Sequence, residues 1–512
     1  MPSERVSSAE SSFFYLESRA TPQHVGLLAV FRLPAGGLDY DRVIRLLDER
    51  ISLAPRYRQK MRSVPGHIAN PVWVDDPGFD ITYHVRRSAL PRPGGDAELL
   101  EFCARIQSRL LDRSRPLWEM YLVEGLPGDR VAIITKTHHS MVDGRGAVDL
   151  TEVLLDDSPD PRRVIEELWM PEPEPSGAAL LTAALIGMAR RPGAAIDAIR
   201  LGVNDVRSTA GRLNGILTGT VSAASALRRR APSSPLSATV GQQRRIAVAR
   251  TRLDDYRAVR RAHFTSVNDV VLATVAGALR AWLLQRGEIV TPMTSIRALV
   301  PVSVNDIDSA RAVDGESSAS RIAGLLVDLP VGEPDPVRRL SLTAQSMSAH
   351  RRSGRAVAAD ALVALSGFAP PTLHALSARA AHGLARRMFN LVVTNVPGPQ
   401  QPRYAAGARM TEMFPILPLG PGQAMSIGLI SYDGGVFYGI NGDRDAVPDV
   451  SVLAGLIEDS IAELVASSPP PDTDGPAPPG PGPSLVSLSA PRRVQRRGSR
   501  HGTTRQTREP PG

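Results

Sequence analysis

The chain has 512 residues, with 42% hydrophobic and 22% charged, which is the balance of a soluble globular protein of roughly two to four domains rather than of a disordered chain. The net charge is +8, but seven arginines against three acids in the tail from Pro469 supply half of that excess; the rest is too diffuse to argue for nucleic acid. A single cysteine, Cys103, excludes an intrachain disulfide and any cysteine-clustered metal site.

In chain order, the opening "MPSERVSSAESSFFYLES" has no basic start followed by an apolar block, so no secretory signal is expected and a cytoplasmic location is the default. "HVGLLAVFRL" predicts a buried strand. "DYDRVIRLLDERISLAP" places Val43, Leu46, Leu47 and Ile51 on one helical face and stops at Pro55. A helix is expected around Asp96 to Leu111, with Leu99, Cys103, Ile106 and Leu110 at helical spacing, so Cys103 reads as a packed core residue rather than a nucleophile. Strand signals follow at "WEMYLVEGL" and "RVAIITKT", then two adjacent histidines, then a helix in "GRGAVDLTEVLL".

"MPEPEPSG" reads as a linker. The apolar run Gly177 to Ala189 after it is too short to span a bilayer. The Ala- and Arg-rich segment to about Arg230 reads as crossover helices. A strand at "RIAVARTRL" and a helix from about Val267 to Arg286, closed by Gly287, begin a second folded part. Strands recur at "SIRALVPVSV", "RIAGLLVDLP", "FNLVVTNV" and "AMSIGLISYDGGVFYGI", where Asp433-Gly434 marks a hairpin. An amphipathic helix with Leu453, Leu456, Ile457, Ile461 and Leu464 inward ends the folded part, and disorder is expected beyond Ser468. The expected division is an α/β domain over 1–170, linker and crossover helices over 171–243, a second domain over 244–468, and a basic tail over 469–512.

Three readings compete for His138 and His139. Consecutive side chains of a strand point to opposite faces, so the two cannot easily share a metal ion, and no third ligand stands nearby; no metal is expected. A polar strand end whose histidines only satisfy backbone groups is the second reading. The third is a proton-transfer site: the strand is apolar enough to be buried, Gly144 and Gly146 let the chain turn, Asp143 could fix the loop by pairing with an arginine, and a neutral imidazole there would suit a general base. On the residues alone the last two stay open.

The stretch His138-His139-Ser140-Met141-Val142-Asp143-Gly144 is similar to the H-H-x-x-x-D-G motif of acyl-CoA-dependent acyltransferases with the chloramphenicol-acetyltransferase-like fold, a motif shared by peptide-synthetase condensation domains. Beyond it, "SSFFYLESRATPQHVGLLAVF", "RPLWEMYLVEGL" (Pro116, Leu117, Trp118), "SVNDVVLATVAGALRAWL" (Asn268, Asp269), "RALVPVSV" and "TNVPGPQQP" (Asn395, Pro397, Gly398) resemble the bacterial wax ester synthase/diacylglycerol acyltransferase family from about Ser11 to Ala466. Two stretches depart from it: Ala319-Ser320 where relatives commonly carry Gly-Asn, and Asn305-Asp306 where they often carry a basic residue.

The resemblance implies two domains of that fold, mixed sheets flanked by helices, with a tunnel between them. It implies transfer of a long acyl chain from coenzyme A to diacylglycerol, and to fatty alcohols giving wax esters. His139 would be the general base, His138 a supporting residue, Asp143 a structural loop anchor and Gly144 the turn of the motif. With no G-x-S-x-G elbow and no plausible catalytic cysteine, direct transfer is expected. With no Walker loop or dinucleotide fingerprint, the coenzyme A thioester is the acyl donor and no further cofactor is expected. Asn268 is a candidate oxyanion donor, with capping of its helix as the competing role; Trp118 reads as core. Lipid substrates imply peripheral contact with the inner face of the plasma membrane or with lipid droplets, helped by "ALRRRAPSS" and the tail. The alternatives are another acyltransferase with the same motif, esterifying polyketide-type alcohols or working as a condensation domain, and a lipid-binding homologue with little turnover.

Overall fold

Apolar strands are the material of this chain, and they assemble into two mixed sheets. The computed structural model describes residues 4–34, 36–142, 150–164, 169–189, 230–303, 322–353, 357–358 and 388–469. Expectations for Asp143, Gly144, Asn305-Asp306, Ala319-Ser320, the crossover segment from 190 to 229 and the tail from 470 fall outside the described residues.

The first part runs α1 (Ser8–Leu16), β1 (His24–Arg32), α2 (Tyr40–Arg50), β2 (Gln59–Arg62), β3 (Val72–Asp75), α3 (Ile81–His84), β4 (Val85–Ala89), α4 (Asp96–Gln107), β5 (Trp118–Leu126), β6 (Arg130–His138), α5 (His139–Val142), α6 (Leu150–Leu154) and α7 (Gly177–Ala189). The second runs β7 (Arg244–Arg252), α8 (Leu253–His263), α9 (Val267–Gln285), β8 (Ile296–Ser303), β9 (Ile322–Leu329), α10 (Pro336–Ser353), β10 (Val357–Ala358), β11 (Leu391–Pro397), β12 (Tyr404–Ala405), β13 (Ala408–Ile416), β14 (Met425–Tyr432), β15 (Gly435–Asp443) and α11 (Val450–Ala466).

The strand order is β12-β13-β1-β6-β5-β4 in one sheet and β10-β9-β8-β11-β14-β15-β7 in the other. The late strand β13 therefore belongs to the first sheet, pairing antiparallel with β1 from Gly26↔Ile416 to Arg32↔Arg409. It also lies against β14 and β15 of the second sheet. Gly439 makes this possible, because a Cβ there would stand 2.0 Å from the Pro415 carbonyl oxygen. The second part of the chain thus completes the sheet of the first.

The cores follow from the patterning. In the first, Val43, Leu46 and Leu47 of α2 pack with Leu99, Cys103 and Ile106 of α4 among the inner residues of the sheet. Cys103 is fully buried and its thiol is pushed up to about 12 by burial. Helix α4 ends at Gln107, earlier than expected, so Leu110 leaves the apolar row and is exposed. Trp118 is fully buried, with its indole N–H donated to the Tyr57 carbonyl at 2.8 Å. In the second core α9 is wrapped by α8, α10, α11 and the sheet. It is apolar and long enough to cross a membrane, yet most of it is buried inside the protein. The Asp433-Gly434 turn has φ of 44° and 80°, the doubly left-handed backbone that a two-residue hairpin needs.

Candidate active site

Strand β6 is apolar because it is interior: β1 and β5 flank it on both sides and all but its first residue are buried. It stops at His138, and the one-turn helix α5 begins at His139. The two histidines therefore straddle the junction of a strand and a helix. The His138 amide donates to the Leu117 carbonyl at 2.9 Å and the His139 amide to the Gln23 carbonyl at 2.9 Å, so each is tied to a different neighbouring segment.

Their environments diverge. The His138 side chain is fully buried, with Phe14 edge-on at a centroid distance of 6.3 Å. Burial, reinforced by the charges of His139 and Arg113, pushes its pKa down to about 3, so the ring is neutral at working pH. The Ser140 amide donates to its Nδ1 at 3.2 Å, with the Ser140 hydroxyl 2.7 Å from the same nitrogen. Nδ1 is thus the acceptor, and the ring proton sits on Nε2. His139 is partly exposed, and its imidazole stacks on Phe13 at 4.3 Å with an interplanar angle of 14°. Of the pair, only His139 has access to solvent.

Helix α1 covers this arrangement, although no motif in its sequence marks it as part of the site. Ser7 and Glu10 form a capping box at its start; at its other end Phe13 and Phe14 reach the two histidines, and Glu17 follows. The Glu17 side chain is 1% exposed and lies 3.7 Å from His138 Nε2. It accepts the Gln23 amide at 3.0 Å and the Arg113 guanidinium at 2.9 Å. Nothing in local spacing signals these partners, since Glu17 and Arg113 are 96 residues apart.

Asn268 lies elsewhere in the fold, on the first turn of α9. The capping box there is made by Ser266 and Asp269, each accepting the other's amide at 3.1 and 3.0 Å, so Asn268 takes no part in it. It is 7% exposed, and its buried Oδ1 has no hydrogen-bond partner among the described residues. No hydrogen bond or ring contact among the described residues joins it to the histidines. A cavity of about 230 Å³ lined by Arg32, Arg409, Met410, Thr411 and Asp433 lies at the far end of β1 from His24 and so away from this site.

Two sheets of this kind with a histidine pair at a buried strand end define the chloramphenicol-acetyltransferase-like class. In fold the chain resembles the first condensation domain of the calcium-dependent antibiotic synthetase, 16% identical with a TM-score of 0.50 over 91% of this chain and 98% of that one. It is more similar to a wax ester synthase/diacylglycerol acyltransferase from Marinobacter aquaeolei, 29% identical with a TM-score of 0.61 over 90% and 98%. Residues 6–271 match the wax ester synthase/diacylglycerol acyltransferase catalytic domain and 319–465 the C-terminal domain of the same family. The chain belongs to the wax ester synthase/diacylglycerol acyltransferase family and is an acyltransferase. A probable diacylglycerol O-acyltransferase of Mycobacterium tuberculosis, tgs2, is 33% identical over 89% of this chain and 97% of its own length. Another, tgs3, is 46% identical over 50% of this chain and 95% of its own length.

Proposed function

We propose that the enzyme moves a long acyl chain from coenzyme A to the free hydroxyl of diacylglycerol, and also to fatty alcohols, with His139 as general base. The observation that carries this is the split environment of the pair: one imidazole buried, neutral and fixed, the next partly exposed and held flat against Phe13. His139 takes the hydroxyl proton as that oxygen attacks the thioester carbonyl. The tetrahedral intermediate collapses by breaking the C–S bond, and the imidazolium returns the proton to the departing thiolate. Transfer is direct, which the buried Cys103 thiol at about 12 supports, since that group is neither ionised nor accessible.

His138 supports the base. Asp143 anchors the following loop and Gly144 lets it turn. Asn268 is the oxyanion donor, a part for which its freedom from the capping box leaves it available; such donors are worth about 3–4 kcal/mol of barrier. The two substrates meet in a tunnel between the sheets, and the enzyme works on the cytoplasmic side of a membrane or on lipid droplets.

The test is incubation of purified enzyme with labelled palmitoyl-CoA and, separately, dioleoylglycerol, hexadecanol or a carrier-protein thioester. Labelled triacylglycerol and wax ester are expected, with no label on protein after quenching. His139→Ala should lower turnover by about 10³-fold or more, and Asn268→Ala by about 10²-fold with KM little changed. A His139→Ala enzyme with parental turnover ends the proton-transfer reading, and an unchanged Asn268→Ala ends the oxyanion role. Lipid binding without turnover in the parent would favour a binding homologue.

A further inference from the structure

We propose that Glu17 is a positioning residue for this reaction, holding both histidines of the motif from one buried carboxylate. The proposal rests on the reading of His139 as the base. A carboxylate with 1% exposure must be balanced, and Arg113 does this at one oxygen only: its Nε and Nη2 both reach Oε2, at 3.3 and 2.9 Å. The other oxygen, Oε1, is left for the site.

Two connections leave Oε1. The first runs through the backbone: Oε1 accepts the Gln23 amide at 3.0 Å, and the Gln23 carbonyl accepts the His139 amide at 2.9 Å. The height of α5 relative to β1, and with it the position of the His139 ring, is set through this peptide. The second is electrostatic. His138 carries its proton on Nε2, because the Ser140 amide occupies Nδ1, and Nε2 faces Oε1 at 3.7 Å. The other tautomer would turn a lone pair toward the carboxylate, and a flipped ring would put the weaker Cε1–H donor where Nε2–H stands. Glu17 therefore disfavours both and keeps His138 in the orientation that leads into α5.

Glutamine cannot replace it. Its amide has one acceptor oxygen and a nitrogen that only donates. In either orientation that nitrogen would face a donor, the Gln23 amide with His138 Nε2–H or the Arg113 guanidinium. Aspartate keeps the charge and both acceptors but retracts them by one methylene. A residue that merely anchored α1 would affect stability, not the rate at saturating substrate.

The experiment uses the full chain with palmitoyl-CoA and dioleoylglycerol, comparing Glu17→Gln, Glu17→Asp and His139→Ala well below the Tm of each. Glu17→Gln should lower kcat by about 10- to 100-fold, with KM for both substrates within about threefold of the parent. In protein carrying 15N-histidine, the His138 signal of the parent should report the Nε2–H tautomer and that of the variant a mixture. Glu17→Asp should recover part of kcat. Parental kcat in Glu17→Gln beside an inactive His139→Ala overturns the proposal and leaves the base reading intact. An active His139→Ala instead removes the base reading, whatever Glu17 does. If Glu17→Gln does not fold, Glu17→Asp decides: reduced kcat at unchanged KM supports the proposal, and parental kcat overturns it.

Discussion

At the scale of single residues, the pair His138 and His139 shows how one step along a chain can separate two identical side chains chemically. The motif was legible in the sequence, but the difference between its members was not, because burial and tautomer are set by Phe13, Phe14, Ser140 and Glu17 through the fold. Lys136, two residues earlier on β6, is a second case. Its side chain is fully buried and donates to the Ile106 carbonyl in the last turn of α4 and to the Arg109 carbonyl just beyond it. Burial, opposed by Glu119 and Glu17, pushes its pKa from 10.5 down to about 8. Below pH 8 the ammonium is charged in both states and folding carries the full desolvation cost. Between pH 8 and 10.5 the unfolded chain holds more protons than the folded one, so this group makes stability rise with pH, by roughly 3 kcal/mol at most. The urea midpoint of the parent should therefore rise from pH 7.5 to pH 10 relative to Lys136→Met. Equal pH dependence in the two proteins would show that the lysine is not desolvated as placed.

At the scale of elements, strongly patterned segments were legible: β1, β5, β6, α9, the β14–β15 hairpin and α11 follow from apolar periodicity and turn chemistry. Of those that were not, three have identifiable reasons. In β13 the register shifts between Val30 and Phe31 of its partner strand, so a bulge at Thr411 breaks the two-residue alternation, and Pro415 further weakens the signal. In α10 the inner face includes Arg339 and Thr343, polar groups that bond to Glu463 and to a backbone carbonyl respectively. In α8 only Leu253, Tyr256 and Val259 are buried. The close approach of β13 to β15 is testable. Because the atom that a new Cβ would meet at Gly439 belongs to backbone, nothing there can swing aside. Gly439→Ala should cost about 2–3 kcal/mol of stability in urea unfolding. A parental midpoint would mean that the two strands are farther apart than described.

At the scale of the whole molecule, the two parts of the chain are tied at more than one place. Arg244, its side chain 2% exposed, donates from its guanidinium to the Ala20 and Gly241 carbonyls, and its amide donates to the Ser108 hydroxyl. Arg250 on β7 reaches Glu412 on β13 and Asp96 on α4, both at 2.8 Å. Asp156, in a buried pair with Arg50 at 2.9 Å, exchanges backbone hydrogen bonds with Tyr404 on β12. The expected linear division, drawn where composition changes at Met170 and where folded structure resumes at 244, carries no sign of these ties, because a strand that crosses to another sheet leaves no mark in composition.

That crossing has a consequence for how the protein is made. The Thr411 hydroxyl bonds to the Val30 carbonyl 381 residues earlier, so at ordinary elongation rates β1 emerges from the ribosome roughly 20 to 75 seconds before its second neighbour, β13, exists. Throughout that interval "LLAVF" presents an open, apolar hydrogen-bonding edge of the kind that recruits foreign strands. Slow synthesis or premature termination would therefore leave a half-sheet with that edge uncovered.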